Sequence, residues 1–162
     1  MIRNFLMCSL TMAGVSFAQS AVRAPAYSPD QQVGACEGGA ARVRSPGGFV
    51  GCGTVENGFA KFNGPVVRLF DSGKVEAVGQ MKNGLRTGKW QAFSESGALI
   101  SEVEFLDDNF HGNRIEYGAN GQKKFHEVYV HGKREGSQTR FDVNGVATVV
   151  QYSKDRPVVA SK

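Results

Sequence analysis

Large apolar residues recur at a fixed interval through the second half of the chain. Residues 61 to 156 divide into four units of 24 residues, which are 61–84, 85–108, 109–132 and 133–156. One large apolar residue takes the same place in every unit, as Leu69, Phe93, Tyr117 and Phe141. The apolar positions do not follow the three- and four-residue spacing of a helix, so the pattern predicts an array of β-structure.

A second apolar position keeps this interval through three units and then slips. It is held by Met81, Phe105 and Tyr129, whereas Tyr152 of the fourth unit comes one residue early. Terminal repeats of arrays are commonly atypical. We interpret the early tyrosine as a deletion or slip in the last unit.

Glycines mark two further positions in each unit. The first series is Gly64, Gly88, Gly112 and Gly136, and the second, nine residues later, is Gly73, Gly97, Gly121 and Gly145. Every glycine of the second series follows Ser or Asn, residues that favour turns. A three-residue loop that ends in a left-handed glycine is common in hairpins, so each unit is predicted to be one β-hairpin.

The loop length also predicts which side chains share a face. A loop at residues 119–121 pairs Tyr117 with Lys123, so facing partners are both odd or both even. Because 24 is even, the same parity holds in every unit. The predicted odd face is apolar and carries Phe93, Leu99, Val103 and Phe105 in the second unit. We therefore predict an all-β fold, an elongated antiparallel meander of repeated hairpins in an open single sheet.

The residues before the array are predicted to cap it. Residues 34–60 are rich in glycine, and Gly39 and Gly48 keep the nine-residue interval, so we interpret this stretch as a degenerate N-terminal unit. Cys36 and Cys52 predict a disulfide there; the alternatives are two free buried thiols or half of a metal site. Residues 19–33 are predicted to be a flexible leader and residues 157–162 a tail.

The N-terminus has the pattern of a secretory signal peptide. Arg3 precedes an apolar stretch that is too short to span a membrane, and Ser16 and Ala18 place small residues at a cleavage site. We predict a signal peptide over residues 1–18 with cleavage after Ala18, and a periplasmic or secreted location. The alternative is an N-terminal core helix.

Length and charge narrow the possible functions. The 162 residues suffice for one domain, and the net charge of +4 falls to +3 when Arg3 leaves with the signal peptide. Basic and acidic residues interleave along the chain. Nucleic-acid binders usually concentrate Lys and Arg on one face, so no nucleic-acid partner is predicted.

The units resemble MORN repeats of the bacterial type found in the YwqK antitoxin family. The matching pattern is Gly88-Lys89-Trp90-Gln91-Ala92-Phe93 with Ser96-Gly97 and Phe105, and the likeness covers about residues 61–155. In the other units the tryptophan is replaced by Val66, Arg114 and Gln138, and Asp108 replaces the glycine between repeats. The resemblance implies one hairpin per repeat and a binding or scaffolding role toward protein or lipid partners.

No residue set satisfies the requirements of catalysis or metal binding. His111 and His131 are predicted to be neighbours at one hairpin base, but with His126 they form no closed ligand spacing. The serines lack a G-x-S-x-G turn, and Glu102 and Glu104 lie on a predicted open sheet. We therefore predict no catalytic residue, no metal site, no cofactor and no enzyme activity.

Candidate binding residues lie on the predicted even face. Trp90 is placed there with Arg68, Arg114 and Arg140. An exposed tryptophan among arginines is typical of an anchor for a partner protein. The alternative is that Trp90 covers the sheet or packs against a neighbouring strand.

These patterns favour a non-enzymatic exported module that binds or scaffolds a protein partner of unknown identity. A toxin-neutralising, immunity-like version follows only from the resemblance. The alternatives are weak association with anionic membrane surfaces, to which a net positive chain is attracted, and a small hydrolase for which no residues stand out. The oligomeric state is not predicted.

Overall fold

A computed structural model describes residues 23–24 and 29–158, which form one antiparallel sheet and one short helix. The predicted signal peptide and residues 159–162 of the predicted tail lie outside the described residues. In the described part of the chain, no helix is long and apolar enough to cross a membrane.

Strands follow one another across the sheet in chain order. Each is antiparallel to its neighbour, and the two-residue strand β9 pairs with β8 beside β10. The predicted open meander is therefore confirmed. The elements are α1 (Pro29–Val33), β1 (Ala41–Arg44), β2 (Phe49–Glu56), β3 (Phe59–Leu69), β4 (Val75–Lys82), β5 (Leu85–Phe93), β6 (Leu99–Leu106), β7 (Asn109–Tyr117), β8 (Lys123–Val130), β9 (Lys133–Arg134), β10 (Gly136–Phe141), β11 (Ala147–Ser153) and β12 (Arg156–Pro157).

Three-residue loops join the two strands of each unit, as predicted. Each loop ends in a glycine with a left-handed backbone, and the glycine N–H donates to the carbonyl three residues earlier, as Gly97 does to Ser94 at 2.8 Å. Gly48 has the same conformation and bond, so the degenerate N-terminal unit shares this loop. A side chain at these positions would strain the backbone, which explains the second glycine series. Its φ angles are 81° at Gly73, 81° at Gly97, 76° at Gly121 and 80° at Gly145.

Two-residue turns join successive units. Both residues of each turn have positive φ, the conformation of the type I′ hairpin turn, whose twist matches that of the strands. Asn, Asp and Gly predominate because they tolerate this conformation best. The turns are Asn57-Gly58, Asn83-Gly84, Asp107-Asp108, His131-Gly132 and Lys154-Asp155.

The first glycine series lies in an irregularity of the sheet. The first strand of each unit pairs with the last strand of the preceding unit, and around the glycine it contains two more residues than that partner. In β5, for example, Thr87 pairs with Gln80 and the next pair is Gln91 with Val78. Gly88, inside this widened stretch, has φ 64°. Two extra residues leave the alternation of faces unchanged.

A second irregularity contradicts the predicted register. Tyr117 pairs with Lys123 as expected, but Lys124 is then skipped and Glu116 pairs with Phe125. The same single extra residue occurs as Glu76 in the first unit and Ile100 in the second. Bulges of this kind leave one residue unpaired and exchange the faces of everything beyond them.

The prediction of one common apolar odd face is therefore wrong. Phe93 and Leu99 face each other on one side, whereas Val103 and Phe105 lie on the other side with Trp90. In the first three units, the odd residues of the second strand beyond the bulge therefore lie on the face opposite to the odd residues of the first strand. The sheet thus has two apolar surfaces instead of one.

The missing bulge of the fourth unit explains its early tyrosine. Here Phe141 pairs with Ala147 and Arg140 with Thr148, without an extra residue. Tyr152 pairs with Gly136, just as Tyr129 pairs with Gly112. Tyr152 therefore occupies the regular structural position, and the one-residue deletion inferred from the sequence falls at the bulge.

We name the two surfaces by what lies on them. The ring face carries an apolar cluster of Phe62, Val66, Trp90 and Phe105. The helix face carries the opposite cluster, formed by Cys52, Val67, Val75, Phe93, Leu99 and, from helix α1, Val33.

Part of the predicted leader packs on the helix face. Pro29–Val33 form α1, and Val33 is 4% exposed because it packs into the helix-face cluster. The backbone N–H of Ala24 donates to Gly97 O at 2.7 Å. The predicted disulfide between Cys36 and Cys52 is confirmed, and it ties the segment after α1 to β2.

Trp90 lies directly over a glycine of the neighbouring strand. A Cβ atom at Gly79 would approach Cδ2 of the Trp90 ring to 2.2 Å. The Trp90 and Phe49 rings are 6.3 Å apart although β2 and β5 are separated by three strand spacings, about 14 Å. The rings therefore meet above the intervening strands, and the bare backbone of Gly79 makes room for them.

Substitution of Gly79 by Ala is expected to destabilise the protein by about 1–3 kcal/mol, because the new methyl group displaces the Trp90 ring. Urea unfolding followed by tryptophan fluorescence measures this change. Gly47→Ala is the matched control, since the nearest atom to a Cβ there is 3.9 Å away, and it should alter stability by less than about 0.5 kcal/mol. Equal effects of the two substitutions would contradict the packing of Trp90 on Gly79.

Candidate functional site

The structure brings the four predicted binding residues to one surface, the ring face. Arg68 and Arg140 lie in a single row of paired residues that crosses the sheet, and Arg114 and Trp90 lie in the adjacent row, both paired with Val103. The row with the two exposed arginines runs Phe49, Arg68, Ala77, Ala92, Ser101, Glu116, Phe125, Arg140 and Thr148.

Trp90 is not the exposed anchor that the sequence suggested. Its side chain is 7% exposed, and its indole Nε1–H donates to Gln80 O at 3.1 Å. The rings of Phe49 and Phe105 each lie 6.3 Å from it, nearly edge-on. The alternative interpretation, in which Trp90 packs against neighbouring strands, is the one that the structure supports.

The tryptophan position is a packing position in each unit. Val66 is 1% exposed and Gln138 is 7% exposed. Gln138 satisfies its amide by bonding both backbone groups of Val128, with Val128 N–H donating to Oε1 at 3.2 Å and Nε2 donating to Val128 O at 3.1 Å. Buried amides need such partners. Replacement of Trp by Val, Arg or Gln therefore changes how the position is filled and leaves it buried or half-buried.

Arg114 is half-buried on the ring face, where it bonds two carboxylates. Its guanidinium donates to Glu127 at 2.7 Å and also contacts Glu116, and it stacks 4.8 Å from the centre of the Phe125 ring. Burial lowers the pKa of Arg114, but the bonds to Glu127 and Glu116 outweigh it and raise the pKa above its ordinary value. Arg114 is therefore a structural charge, already neutralised.

Arg68 and Arg140 are exposed on the ring face. Arg68 donates to Glu76 at 3.0 Å and to Gly47 O at 3.3 Å, and its guanidinium lies 5.6 Å from the Phe49 ring centre. Arg140 lies 5.9 Å from the Phe125 ring centre, and within the described residues it forms no ion pair. Arginine next to an aromatic ring is a favourable arrangement for contact with a partner.

Small side chains open a depression beside Arg68. A pocket of about 200 Å³ is lined by Ala77, Ala92 and Ser101, with Phe49, Arg68, Trp90 and Phe105 among its walls. This volume is below the roughly 300–1,000 Å³ of typical small-molecule sites and fits one side chain of a partner. Arg68 also borders a cleft of about 730 Å³ between the first two three-residue loops.

Sequence reasoning missed a ladder of rings along the ring face. Phe105 and Phe110 are 5.3 Å apart, and Phe110 and Tyr129 are 5.1 Å apart. Arg86 lies 4.1 Å from the centre of the Phe105 ring, and Arg134 lies 4.4 Å from that of Tyr152. Cation–π contacts of this type stabilise the edge of the face near the two-residue turns.

Arg86 and Arg134 each have an aspartate in the following turn. Arg86 Nε donates to Asp108 at 2.7 Å, and Arg134 Nε donates to Asp155 at 3.3 Å. Units with Phe at this position have Gly in the turn instead, as with Phe62 and Gly84. From unit to unit the strand position alternates between Phe and Arg, and the turn position alternates between Gly and Asp in step with it. This alternation is the signal in the sequence that could have revealed the Arg–Asp pairs.

The helix face carries a polar network at the centre of the sheet. Glu102 accepts hydrogen bonds from Gln91 Nε2 at 2.9 Å and from the Tyr117 hydroxyl at 2.8 Å, and it pairs with Lys89. Burial raises the pKa of Glu102, but these three partners outweigh it and lower the pKa. Burial and the bond to Glu102 raise the pKa of Tyr117 to about 12.

The histidines form one contact pair, as predicted. His111 and His131 have ring centroids 4.8 Å apart, and His126 Nε2 lies 2.8 Å from Asn113 Oδ1. Among the residues that the structure describes, no group of three or more His, Cys, Asp or Glu is placed to hold a metal ion.

No protein-family model matches the chain, and no curated protein matches it. The resemblance to MORN repeats therefore rests on the residues and spacings alone and stays a prediction.

Titration of Tyr117 tests the helix-face network. Because the neutral phenol donates to Glu102, its contribution to stability is complete below about pH 10, the pKa of an unfolded tyrosine, and is lost as the pH rises toward about 12. The difference in tyrosinate absorbance between wild type and the Tyr117→Phe variant should therefore titrate with a midpoint at about pH 12. In Glu102→Gln the midpoint should fall toward 10.0, and an unchanged midpoint would exclude Glu102 as the cause.

Proposed function

We propose that this protein is a non-enzymatic exported binding module whose ring face holds a protein partner. The observation that supports this most is the row from Arg68 to Arg140, where two exposed guanidinium groups lie next to aromatic rings and Arg68 borders a depression of small side chains. Arginine and aromatic residues around a side-chain-sized pocket are the usual composition of a binding hot spot.

The electrostatics favour binding over catalysis. General acids and bases work best when their pKa values lie near neutral pH. Among the residues that the structure describes, every group whose pKa departs from its ordinary value is shifted away from neutral pH. Carboxylates with lowered pKa values are Glu102, Asp108 and Asp155, and groups with raised values are Tyr117, Tyr129, Arg114 and Arg134.

Export is the second part of the proposal. The Cys36–Cys52 disulfide is compatible with an oxidising compartment, where such bonds persist. Together with the signal-peptide pattern of residues 1–18, it supports a periplasmic or secreted location after cleavage behind Ala18. A toxin as the partner is one specific form of the proposal, and it rests only on the resemblance to antitoxin-type repeats.

Affinity capture from an envelope extract tests the proposed surface. The tagged protein should retain a partner protein, and Arg68→Glu with Arg140→Glu should reduce retention at least tenfold, since hot-spot residues contribute about 1–2 kcal/mol or more each. Lys82→Glu with Lys133→Glu is the matched control, because it makes the same charge change at exposed residues on the helix face. Their strand neighbours Met81 and Arg134 lie on the ring face, so Lys82 and Lys133 point to the other side.

Capture of no protein at any salt concentration, or equal loss with both double variants, would contradict the proposal. The same variants are mixed with vesicles that contain anionic lipid. Flotation with those vesicles in place of protein capture would favour the membrane-surface alternative and overturn the protein-binding one.

A further inference from the structure

The two edges of the sheet differ in how they are protected. The N-terminal edge strand β1 has four residues, two of which are arginines, and Arg42 bonds the carbonyl of Gly34. Short, charged edge strands resist pairing with other chains. At the opposite edge, β12 covers β11 only near its C-terminal end, where Tyr152 pairs with Pro157 and Ser153 with Arg156.

The uncovered part of β11 presents backbone groups to the edge. Val158 N–H donates to Gln151 O at 2.8 Å, so the backbone of Gln151 points outward, away from β10. Backbone direction alternates along an antiparallel strand, so the N–H and C=O groups of Val149 and Ala147 also point outward. In the described part of the chain, neither residue has a backbone partner on that side.

This edge is apolar and uncharged. Residues 143–153 contain no charged side chain. Val146 is 63% exposed, Val149 53% and Val150 40%. An exposed strand of β-branched residues without charge is a template for strand pairing, which most native edges avoid.

We propose that β11 pairs antiparallel with β11 of a second copy of this chain, about a two-fold axis. An uncharged segment meets itself without repulsion, whereas a pairing with the edge of β1 would place it beside Arg42 and Arg44. A two-fold contact uses the same edge of both copies and closes after two chains. This inference goes beyond the proposed function, which concerns the ring face.

The outward groups determine the register of the pair. Gln151 is already bonded to Val158, so Ala147 and Val149 are the residues left to exchange backbone bonds. The outward backbone groups of both residues find partners when Ala147 pairs with Val149 of the second copy. This register places Thr148 opposite Thr148 of the second copy. The contact is small, so the association is weak and depends on concentration.

Cysteine cross-linking tests this register in the full chain with Cys8→Ser. Thr148 and its counterpart form a non-hydrogen-bonded pair with Cα atoms about 4.5 Å apart, within disulfide range, so Thr148→Cys should give covalent dimer under mild oxidation. Val150→Cys is the control, because Val150 faces Val146 of the second copy, and it should stay largely monomeric. Equal cross-linking of both variants would overturn the proposed pairing.

Sedimentation from about 1 μM to 1 mM tests the same contact without cysteines. Wild type should show reversible dimer formation, and Val149→Lys should weaken it at least tenfold because an edge lysine opposes strand pairing. Val143→Lys should leave it unchanged, since Val143 is 94% exposed in the loop before β11. A wild type that remains monomeric at 1 mM, or equal effects of the two lysines, would contradict the proposal.

Discussion

Each of the first three units of this sheet contains three residues that simple strand pairing does not require, and their placement determines the rest of the structure. Two extra residues surround the first glycine and leave the alternation of faces unchanged, as at Gly88. One extra residue after each three-residue loop, as at Ile100, exchanges the faces. Beyond that extra residue, side chains of the second strand therefore lie on the surface opposite to first-strand side chains of the same parity. The glycines supply the left-handed backbone that these irregularities and the loops need.

Two apolar surfaces follow from that exchange, and both are concentrated toward the N-terminal end. α1 and the disulfide cover the helix face, while Trp90 packs on Gly79 and gathers the rings of the ring face. Among the described residues, no hydrophobic side chain that follows Phe105 in the chain is fully buried. Stacked repeats require caps at their ends, and the N-terminal end is covered by covalent and apolar contacts, whereas within the described residues β12 covers only the C-terminal end of β11. The ring face and this open edge are the surfaces from which binding is inferred.

Periodicity predicted the fold class and the loops, because these depend on local turn chemistry and on spacing alone, and the two cysteines of a chain expected to be exported predicted the disulfide. Parity could not predict the faces, since it assumes that strands pair one residue to one. The bulge residues Glu76, Ile100 and Lys124 share no chemistry that marks them, and the early Tyr152 was the only trace of the bulge in the sequence. Of the two interpretations of Trp90, the structure supports packing against neighbouring strands, and the exposed anchor is wrong because it relied on a polar face inferred from that parity. The interior position of Trp90 also depends on Gly79, a contact between strands that no local pattern reveals.

Proton–proton contacts measured by NMR in the folded protein test the exchange of faces most directly. The Trp90 indole should show nuclear Overhauser effects to the rings of Phe49 and Phe105, and the Phe93 ring should show them to the methyl groups of Leu99 and Val67. Phe93 and Phe105 should show none to each other, because the sheet lies between them. A direct contact between the Phe93 and Phe105 rings would contradict the bulged register and return both residues to one face.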